Sequence, residues 1–272
     1  MCRVLFARAQ DEGVNTLGSL IHLHYKASAE DPLLAELTGG DGRHCHGFGA
    51  ALLVDQGRGW ELHYYRYDAY DYTRDYEDSC RLNLEMLQEY SRRLAEVVTK
   101  ARRVLLLLHS RRASRGMPRG VLNTHPFNAG IAREKSYGEL YLAHNGSVLA
   151  DAVAEELGLD PKSYTDSHLI TLWIARRIRE GAGLLEAVEE GARFVKRAYV
   201  IGSLLVGLGG EPLLAYAGVL ARGLDDARKR YYTPYLAYGE GLRALVSPTI
   251  KMYAEEAGLE VEYEDAGGVG LL

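Results

Sequence analysis

Strand-like segments lie at both ends of the chain, and the segments with helical spacing lie between them. The chain opens on CRVLFARA, a strand that begins at the second residue, and its C-terminal part contains YVIGSLLVGL, EPLLAYAGVL, ALVSP and LEVEYED. This arrangement favours an α+β protein with a largely antiparallel sheet. Helices must then cover the faces of the sheet, so a layered sandwich is expected.

The middle of the chain supplies further strands and the helices. Strands are predicted at residues 44–54 and 61–67, in VLLLLHS and in ELYLAHNGS. Residues 81–100 carry leucines at helical spacing, and two more helices are expected between residues 167 and 198. No linker, low-complexity tract or repeat divides the sequence, so residues 1–272 are expected to form a single domain.

The tyrosine-rich residues 64–76 are interpreted as a twisted edge hairpin with its tyrosines packed on one side. A stacking or partner surface is the alternative for this segment. The glycines of residues 207–210 are interpreted as a hairpin turn, because they lack the spacing and the following helix of a phosphate-binding loop.

Charge and cysteine content narrow the class of protein. A net charge of −5 argues against a general nucleic-acid binder. The first ten residues lack the long apolar segment of a signal peptide. The longest aliphatic run, residues 104–108, is too short to cross a bilayer. Three cysteines are too few and too widely spaced for a disulfide framework. Cys45 and Cys80 are therefore predicted to be reduced structural thiols, and the protein to be cytoplasmic.

A metal site is not expected at His44-Cys45-His46. His44 and His46 would share one face of a strand, but no partner motif accompanies them, and zinc normally takes four converging ligands.

Cys2 is the first candidate catalytic residue. Removal of Met1 would leave Cys2 at the N-terminus, where one residue holds both a nucleophile and a base. An α-amino group titrates near pH ~8 and a thiol near ~8.5, so the amine can accept the thiol proton. The alternative is a cysteine at this position by chance.

Residues 109–116, HSRRASRG, follow a predicted buried strand and lead into a loop. Between Val97 and Arg133 the sequence has several arginines and no acidic residue. A guanidinium group suits bidentate binding of a carboxylate. The alternatives are a solvated cluster, which is the interpretation adopted for Arg102 and Arg103 at a helix end, and a nucleic-acid surface, for which regular aromatic residues are lacking.

Asn145-Gly146 is the third candidate. At a strand end, its side-chain amide and its glycine N–H could both point at one oxygen and form an oxyanion hole. The alternative is a type I′ turn, for which Asn-Gly is the strongest sequence signal.

In this order, Cys2, HSRRASRG, NTHPF at 123–127, HNG at 144–146 and YTDS at 164–167 resemble the class II glutamine amidotransferases, an N-terminal nucleophile (Ntn) family. The motifs cover residues 2 to about 170, and the similarity is greatest to short, stand-alone members. The resemblance implies an Ntn-hydrolase fold, an αββα four-layer sandwich of two mainly antiparallel sheets between helices. The strand-rich remainder of the chain fits that fold.

The resemblance also implies roles for five residues. Cys2 would attack the side-chain amide carbon of glutamine, release ammonia and form a γ-glutamyl thioester that water hydrolyses. Asn145 and Gly146 would form the oxyanion hole, Arg111 would bind the substrate α-carboxylate, and Asp166 would bind its α-ammonium group. A zwitterionic amino acid needs one cationic and one anionic side chain to bind its two charged groups.

Further residues of the predicted substrate site are Ser114, Arg115, His125 and Arg43. Ser114 matches a hydroxyl beside the substrate, and residues 112–120 match a loop that closes over it. Larger members of the family usually have tryptophan and histidine where this chain has Arg112 and Arg115, which suggests either a more acidic substrate or a different lid. His125 is expected to give structural support, and Arg43 to lie near the nucleophile.

The sequence therefore predicts an amidohydrolase that cleaves the γ-amide of glutamine, without a cofactor, and supplies ammonia to a separate synthase where one exists. Two alternatives stay open. The same site could cleave a γ-glutamyl bond to a larger amine, or the chain could be a non-catalytic glutamine-sensing or assembly subunit. Neither nucleic acid nor membrane is an expected partner.

Overall fold

The computed structural model describes residues 1–114 and 116–272. In this part of the chain the helices are α1 (Gly13–Ala29), α2 (Pro32–Thr38), α3 (Tyr76–Val98), α4 (Ala150–Leu157), α5 (Asp166–Arg179), α6 (Leu184–Gly191), α7 (Asp226–Tyr232) and α8 (Pro248–Glu256). The strands are β1 (Cys2–Gln10), β2 (Phe48–Asp55), β3 (Trp60–Tyr67), β4 (Arg103–Arg111), β5 (Phe127–Arg133), β6 (Ser136–Val148), β7 (Val195–Gly207), β8 (Leu213–Leu220), β9 (Tyr235–Gly239), β10 (Leu242–Val246), β11 (Glu262–Asp265) and β12 (Gly268–Leu271). No helix among these is long and apolar enough to cross a membrane.

The strands form two antiparallel sheets. The larger has the order β11-β9-β10-β1-β4-β2-β3, and the smaller has the order β12-β8-β7-β6-β5. Apolar residues of α1, α3 and α8 cover the outer face of the larger sheet, while those of α4, α5 and α6 cover the outer face of the smaller one. A third apolar cluster fills the space between the sheets. The predicted four-layer αββα sandwich is confirmed.

The alternation of side chains along β1 determines which face of the sheet each of the first residues lies on. Leu5 and Ala7 pack against the helix layer, whereas Val4 and Phe6 pack between the two sheets. Because side chains alternate with a period of two, Cys2 faces the same way as Val4 and Phe6. Cys2 lies opposite Arg111 in the antiparallel pairing of β1 with β4. The start of one strand and the end of another therefore meet at one edge of the inter-sheet layer.

Cys45 and Cys80 form a disulfide, so the prediction of two reduced thiols is wrong. Their Cα atoms are 4.9 Å apart, and the bond joins the segment before β2 to the second turn of α3. The two residues are 35 positions apart in sequence, without a spacing motif, and only the packing of α3 brings them together. The disulfide also removes the argument that pointed to a reducing compartment.

The tyrosine-rich segment agrees with its prediction only in part. β3 is an edge strand of the larger sheet, but it ends at Tyr67 and residues 68–75 form a loop instead of a second hairpin strand. The tyrosines also pack on two sides. Tyr65 stacks on Tyr90 of α3 with ring centroids 4.8 Å apart, and Tyr64 lies 5.0 Å from the Tyr141 ring of the other sheet.

Candidate active site

A cavity of about 730 Å³ opens where the start of β1, the end of β4, β6 and the N-terminus of α5 meet. This volume lies within the range of small-molecule sites. The predicted site residues that line it are Cys2, Arg111, Ser114, His125, Gly146 and Asp166.

Cys2 is the only cysteine outside the disulfide, and it is buried at the wall of this cavity. Its backbone N–H donates a hydrogen bond to Oδ1 of Asn145 at 3.0 Å. Burial alone would raise the pKa of the Cys2 thiol, but the N-terminal ammonium group and the neighbouring His109 outweigh that effect and lower it to about 5. The thiolate, which is the nucleophilic form, is therefore the favoured state near pH 7.

This lowered pKa predicts how Cys2 reacts with an alkylating agent. In the chain that retains Met1, the rate of alkylation by iodoacetamide should rise as the pH passes through about 5 and level off below pH ~7, because only the thiolate reacts. An unperturbed thiol would continue to gain reactivity up to about pH 9. The rate constant is measured by mass spectrometry as a function of pH. His109→Asn should move the inflection to higher pH, and an inflection near 8.5 in the unmodified sequence would contradict the assignment.

Asn145 and Gly146 lie inside β6 and do not form a turn. Because Oδ1 of Asn145 already accepts from Cys2, its amide NH₂ group is the donor end of the side chain. A Cβ atom on Gly146 would lie 1.8 Å from the carbonyl oxygen of Ala198, so the approach of β7 requires glycine here. The pairing of β6 with β7 shifts between Gly146 and Val148, which interrupts the ladder beside the cavity.

Arg111 ends β4 with its guanidinium group almost fully buried. Its backbone is fixed by pairing with the segment before β2, since Arg111 N–H donates to Gly47 O and Arg111 O accepts from His46 N–H, both at 2.8 Å. Nη1 has no hydrogen-bond partner among the described residues, and burial lowers the pKa of the guanidinium group. A buried cation with an unpaired donor is suited to bind an anion.

Asp166 occupies the first turn of α5, on the wall of the same cavity. Thr165 caps this helix by accepting from His168 N–H at 3.2 Å. The Asp166 carboxylate accepts from Ser167 N–H at 2.9 Å and from Val148 N–H at 3.2 Å, which fixes its orientation. A carboxylate side chain is stabilising at the N-terminus of a helix. The site therefore contains an anion as well as the cation of Arg111.

The predicted closing loop is held at both of its ends. Ala113 N–H donates to Nδ1 of His46 at 2.9 Å, and Gly120 N–H donates to Oδ2 of Asp68 at 2.9 Å. The Arg112 guanidinium group donates to the Asp41 carboxylate at 2.5 Å and to the Arg43 carbonyl at 2.9 Å. Protein groups therefore already neutralise its charge.

The other two predicted substrate residues are Arg115 and Arg43. Arg115 lies outside the described residues. Arg43 forms ion pairs with Asp41 and Glu77, at 2.7 and 2.9 Å, and is not among the residues that line the cavity. Its carbonyl accepts from Arg112, which does line the cavity.

His125 is buried at the cavity wall, with its ring centroid 4.1 Å from that of His109. Burial lowers the pKa of His125 well below its ordinary value, so the imidazole is neutral. Neither ring nitrogen has a hydrogen-bond partner within the described part of the chain. Because an unpaired buried nitrogen is costly, His125 is placed to gain a bond from a polar ligand.

Sequence reasoning missed Lys196 and Arg197, which also line the cavity. They begin β7, far along the chain from the motifs, and no ion pair joins either of them to another described residue. Only the pairing of β7 with β6 brings them to the site, so no local signal could have identified them. Nowhere in the described residues do three or more His, Cys, Asp or Glu side chains form a cluster that could hold a metal ion.

Comparison with known proteins identifies the family of the chain. The family model of class-II glutamine amidotransferases matches residues 46–201, which is more than half of the chain. No curated protein sequence compared with the chain matches it.

Solved structures of other proteins share the fold. One is described as the allosteric regulatory enzyme of purine biosynthesis, with 16% identity and a TM-score of 0.53 over 98% of this chain and 46% of the other. The second is glutamine phosphoribosylpyrophosphate amidotransferase from B. subtilis complexed with ADP and GMP, with 12% identity and a TM-score of 0.51 over 99% of this chain and 48% of the other. The chain thus spans about half the length of either.

Proposed function

Because the chain belongs to the class II glutamine amidotransferase family, we propose that it hydrolyses the γ-amide of glutamine, with Cys2 as the nucleophile, to release glutamate and ammonia. One observation carries the proposal. The Cys2 thiol shares a single cavity with Arg111 and Asp166, and Asn145 lies against its backbone nitrogen.

The two charged groups on the α-carbon of free glutamine would meet opposite charges. Arg111 would bind the α-carboxylate through the donor that is otherwise unpaired, and Asp166 would accept from the α-ammonium group. With both groups fixed, the side chain of the substrate extends towards Cys2. Holding a substrate in this way turns the attack into an effectively intramolecular step.

The first half of the reaction forms a thioester. After removal of Met1, the α-amine of Cys2 accepts the thiol proton and the sulfur attacks the amide carbon. The negative charge that develops on the amide oxygen is stabilised by the NH₂ group of Asn145 and the N–H of Gly146. The C–N bond then breaks, and the α-ammonium group returns its proton to the departing ammonia.

The second half restores the enzyme. The α-amine takes a proton from water, the hydroxide attacks the thioester through the same oxyanion site, and glutamate leaves as the thiol is reprotonated. The net change is glutamine plus water to glutamate plus ammonia. We propose that an acceptor synthase consumes the ammonia where the reaction is coupled.

The test is glutamate release from L-glutamine by protein whose mass shows that Met1 is absent. The matched control is the same chain with an added N-terminal segment, in which the base is replaced by a peptide nitrogen. Turnover is expected in the first preparation and not in the second. Absence of turnover in both would reject glutamine as the substrate.

A second candidate is the hydrolysis of a γ-glutamyl bond to a larger amine. The observation that favours it is that two further cations, Lys196 and Arg197, also line the cavity. Glutamine has no group for these cations, whereas a leaving amine that carries a carboxylate would have one. A panel of γ-glutamyl amino acids, compared with glutamine by kcat/KM, separates the two candidates. A preference for the unsubstituted amide would exclude the second.

A further inference from the structure

Arg3, the residue of β1 that follows the nucleophile, is completely buried. Its Nη2 lies 2.5 Å from Oδ2 of Asp31, and its Nη1 lies 3.3 Å from the carbonyl oxygen of Cys2. The guanidinium carbon also lies 4.2 Å from the centre of the Tyr231 ring. Nothing in the proposed reaction uses this cation directly.

Asp31 holds the Arg3 side chain in one orientation. Its carboxylate accepts from Thr249 Oγ1 at 2.7 Å and lies 2.6 Å from Nε2 of His44. Burial alone would raise the pKa of Asp31, but Arg3 and His44 lower it to about 2, so the group is a carboxylate. A buried cation with a buried anion and further hydrogen bonds is a fixed element of the structure.

The carbonyl of Cys2 needs a partner because none of the described strands pairs with β1 on the side that it faces. Met1 and Arg112 exchange both of their hydrogen bonds, at 2.8 and 3.0 Å, so the Cys2 carbonyl in the next position points away from β4. On that other side, β10 pairs with β1 only from Leu5 onward. A buried carbonyl without a partner would be costly.

Tyr231 and Arg3 supply the missing partners. The Tyr231 hydroxyl donates to the Cys2 carbonyl at 3.3 Å, and Nη1 of Arg3 donates to the same oxygen. On its nitrogen side Cys2 is held by Asn145. Once Met1 is gone, Cys2 is held by Asn145 at its nitrogen and by these two donors at its carbonyl.

We propose that Tyr231 and Arg3 are positioning residues that hold the Cys2 carbonyl and so direct the amine and the thiol into the cavity. The inference rests on the proposed function for its catalytic consequence. The geometric part concerns the reactivity of the thiol and does not depend on the substrate.

The variant for the test is Tyr231→Phe, because removal of Arg3 would leave a buried carboxylate unpaired and destabilise the fold. The change removes one hydroxyl and keeps the ring beneath Arg3. Tyr253→Phe is the matched control, since its hydroxyl also donates to a backbone carbonyl, that of Glu30 at 2.8 Å. Both variants should keep the unfolding temperature close to that of the parent protein.

In protein that lacks Met1, Tyr231→Phe should lower kcat for glutamate release roughly 3- to 10-fold with KM unchanged, the range expected for one hydrogen bond. It should also slow the alkylation of Cys2 by iodoacetamide at fixed pH. Tyr253→Phe should match the parent protein in both measurements.

Alkylation decides the inference, because it needs no glutamine. Alkylation of Tyr231→Phe at the parent rate, or an equal slowing in Tyr253→Phe, would overturn it. Slower alkylation of Tyr231→Phe alone, in a protein that never releases glutamate, would support the positioning role and reject only the proposed function.

Discussion

Cys2→Ala should lower glutamate release by at least about 10³-fold, because removal of a covalent nucleophile leaves only the binding and oxyanion contributions to catalysis. The rate is measured by glutamate production at saturating glutamine. The binding groups are untouched, so glutamine should still raise the unfolding temperature of the variant through Arg111 and Asp166.

The control for this loss is Cys2→Ser, which keeps a nucleophile and the α-amine but replaces the thiol with a much weaker acid. Its activity should lie between those of the parent protein and Cys2→Ala. A glutamine sensor would behave differently, with binding in all three proteins and turnover in none. Full activity of Cys2→Ala would show that the nucleophile is another group.

Asn145→Asp should lower kcat by about 10²- to 10³-fold, the usual cost of one lost oxyanion-hole donor. The substitution keeps an oxygen that can accept from Cys2 N–H, now at 3.0 Å, and removes the NH₂ donor. It also places a negative charge where the substrate oxygen becomes negative. KM should change little, because Arg111 and Asp166 hold the other end of the substrate.

Asn128→Asp is the matched control, since Asn128 is an exposed residue of β5. It introduces the same charge on the same sheet, and its kcat should equal that of the parent protein. If Asn145→Asp retained the parent kcat, the oxyanion would have to be stabilised without the Asn145 amide. Equal losses in both variants would point to a general effect of charge on the sheet.

Most elements could be predicted from the sequence because their patterns are local. The runs of apolar residues in β4 and β1 identify buried strands without tertiary information. The start of α3 could not be placed in this way. Its first turn is polar and begins at Tyr76 after the cap Asp75, five residues before the apolar spacing that predicted the helix at 81.

Local sequence patterns do not predict the contacts that build the candidate site. Asn145-Gly146 has the sequence of a tight turn, but the pairing of β6 with β7 keeps it extended. The Cys45–Cys80 bond and the contacts of Arg3 depend on helices that pack from distant parts of the chain. Pairings of this kind carry no periodicity, so a single sequence does not reveal them.

The three cysteines place opposite demands on any handling of this protein. Cys2 must stay reduced to act as a nucleophile, while Cys45 and Cys80 are joined in oxidised form. Thiol exchange requires access to the sulfur, and Cys2 borders the open cavity whereas Cys45 and Cys80 are buried, at 1% and 0% exposure. A small reductant therefore reaches the nucleophile first, and a brief, mild treatment should regenerate Cys2 while leaving the cross-link closed.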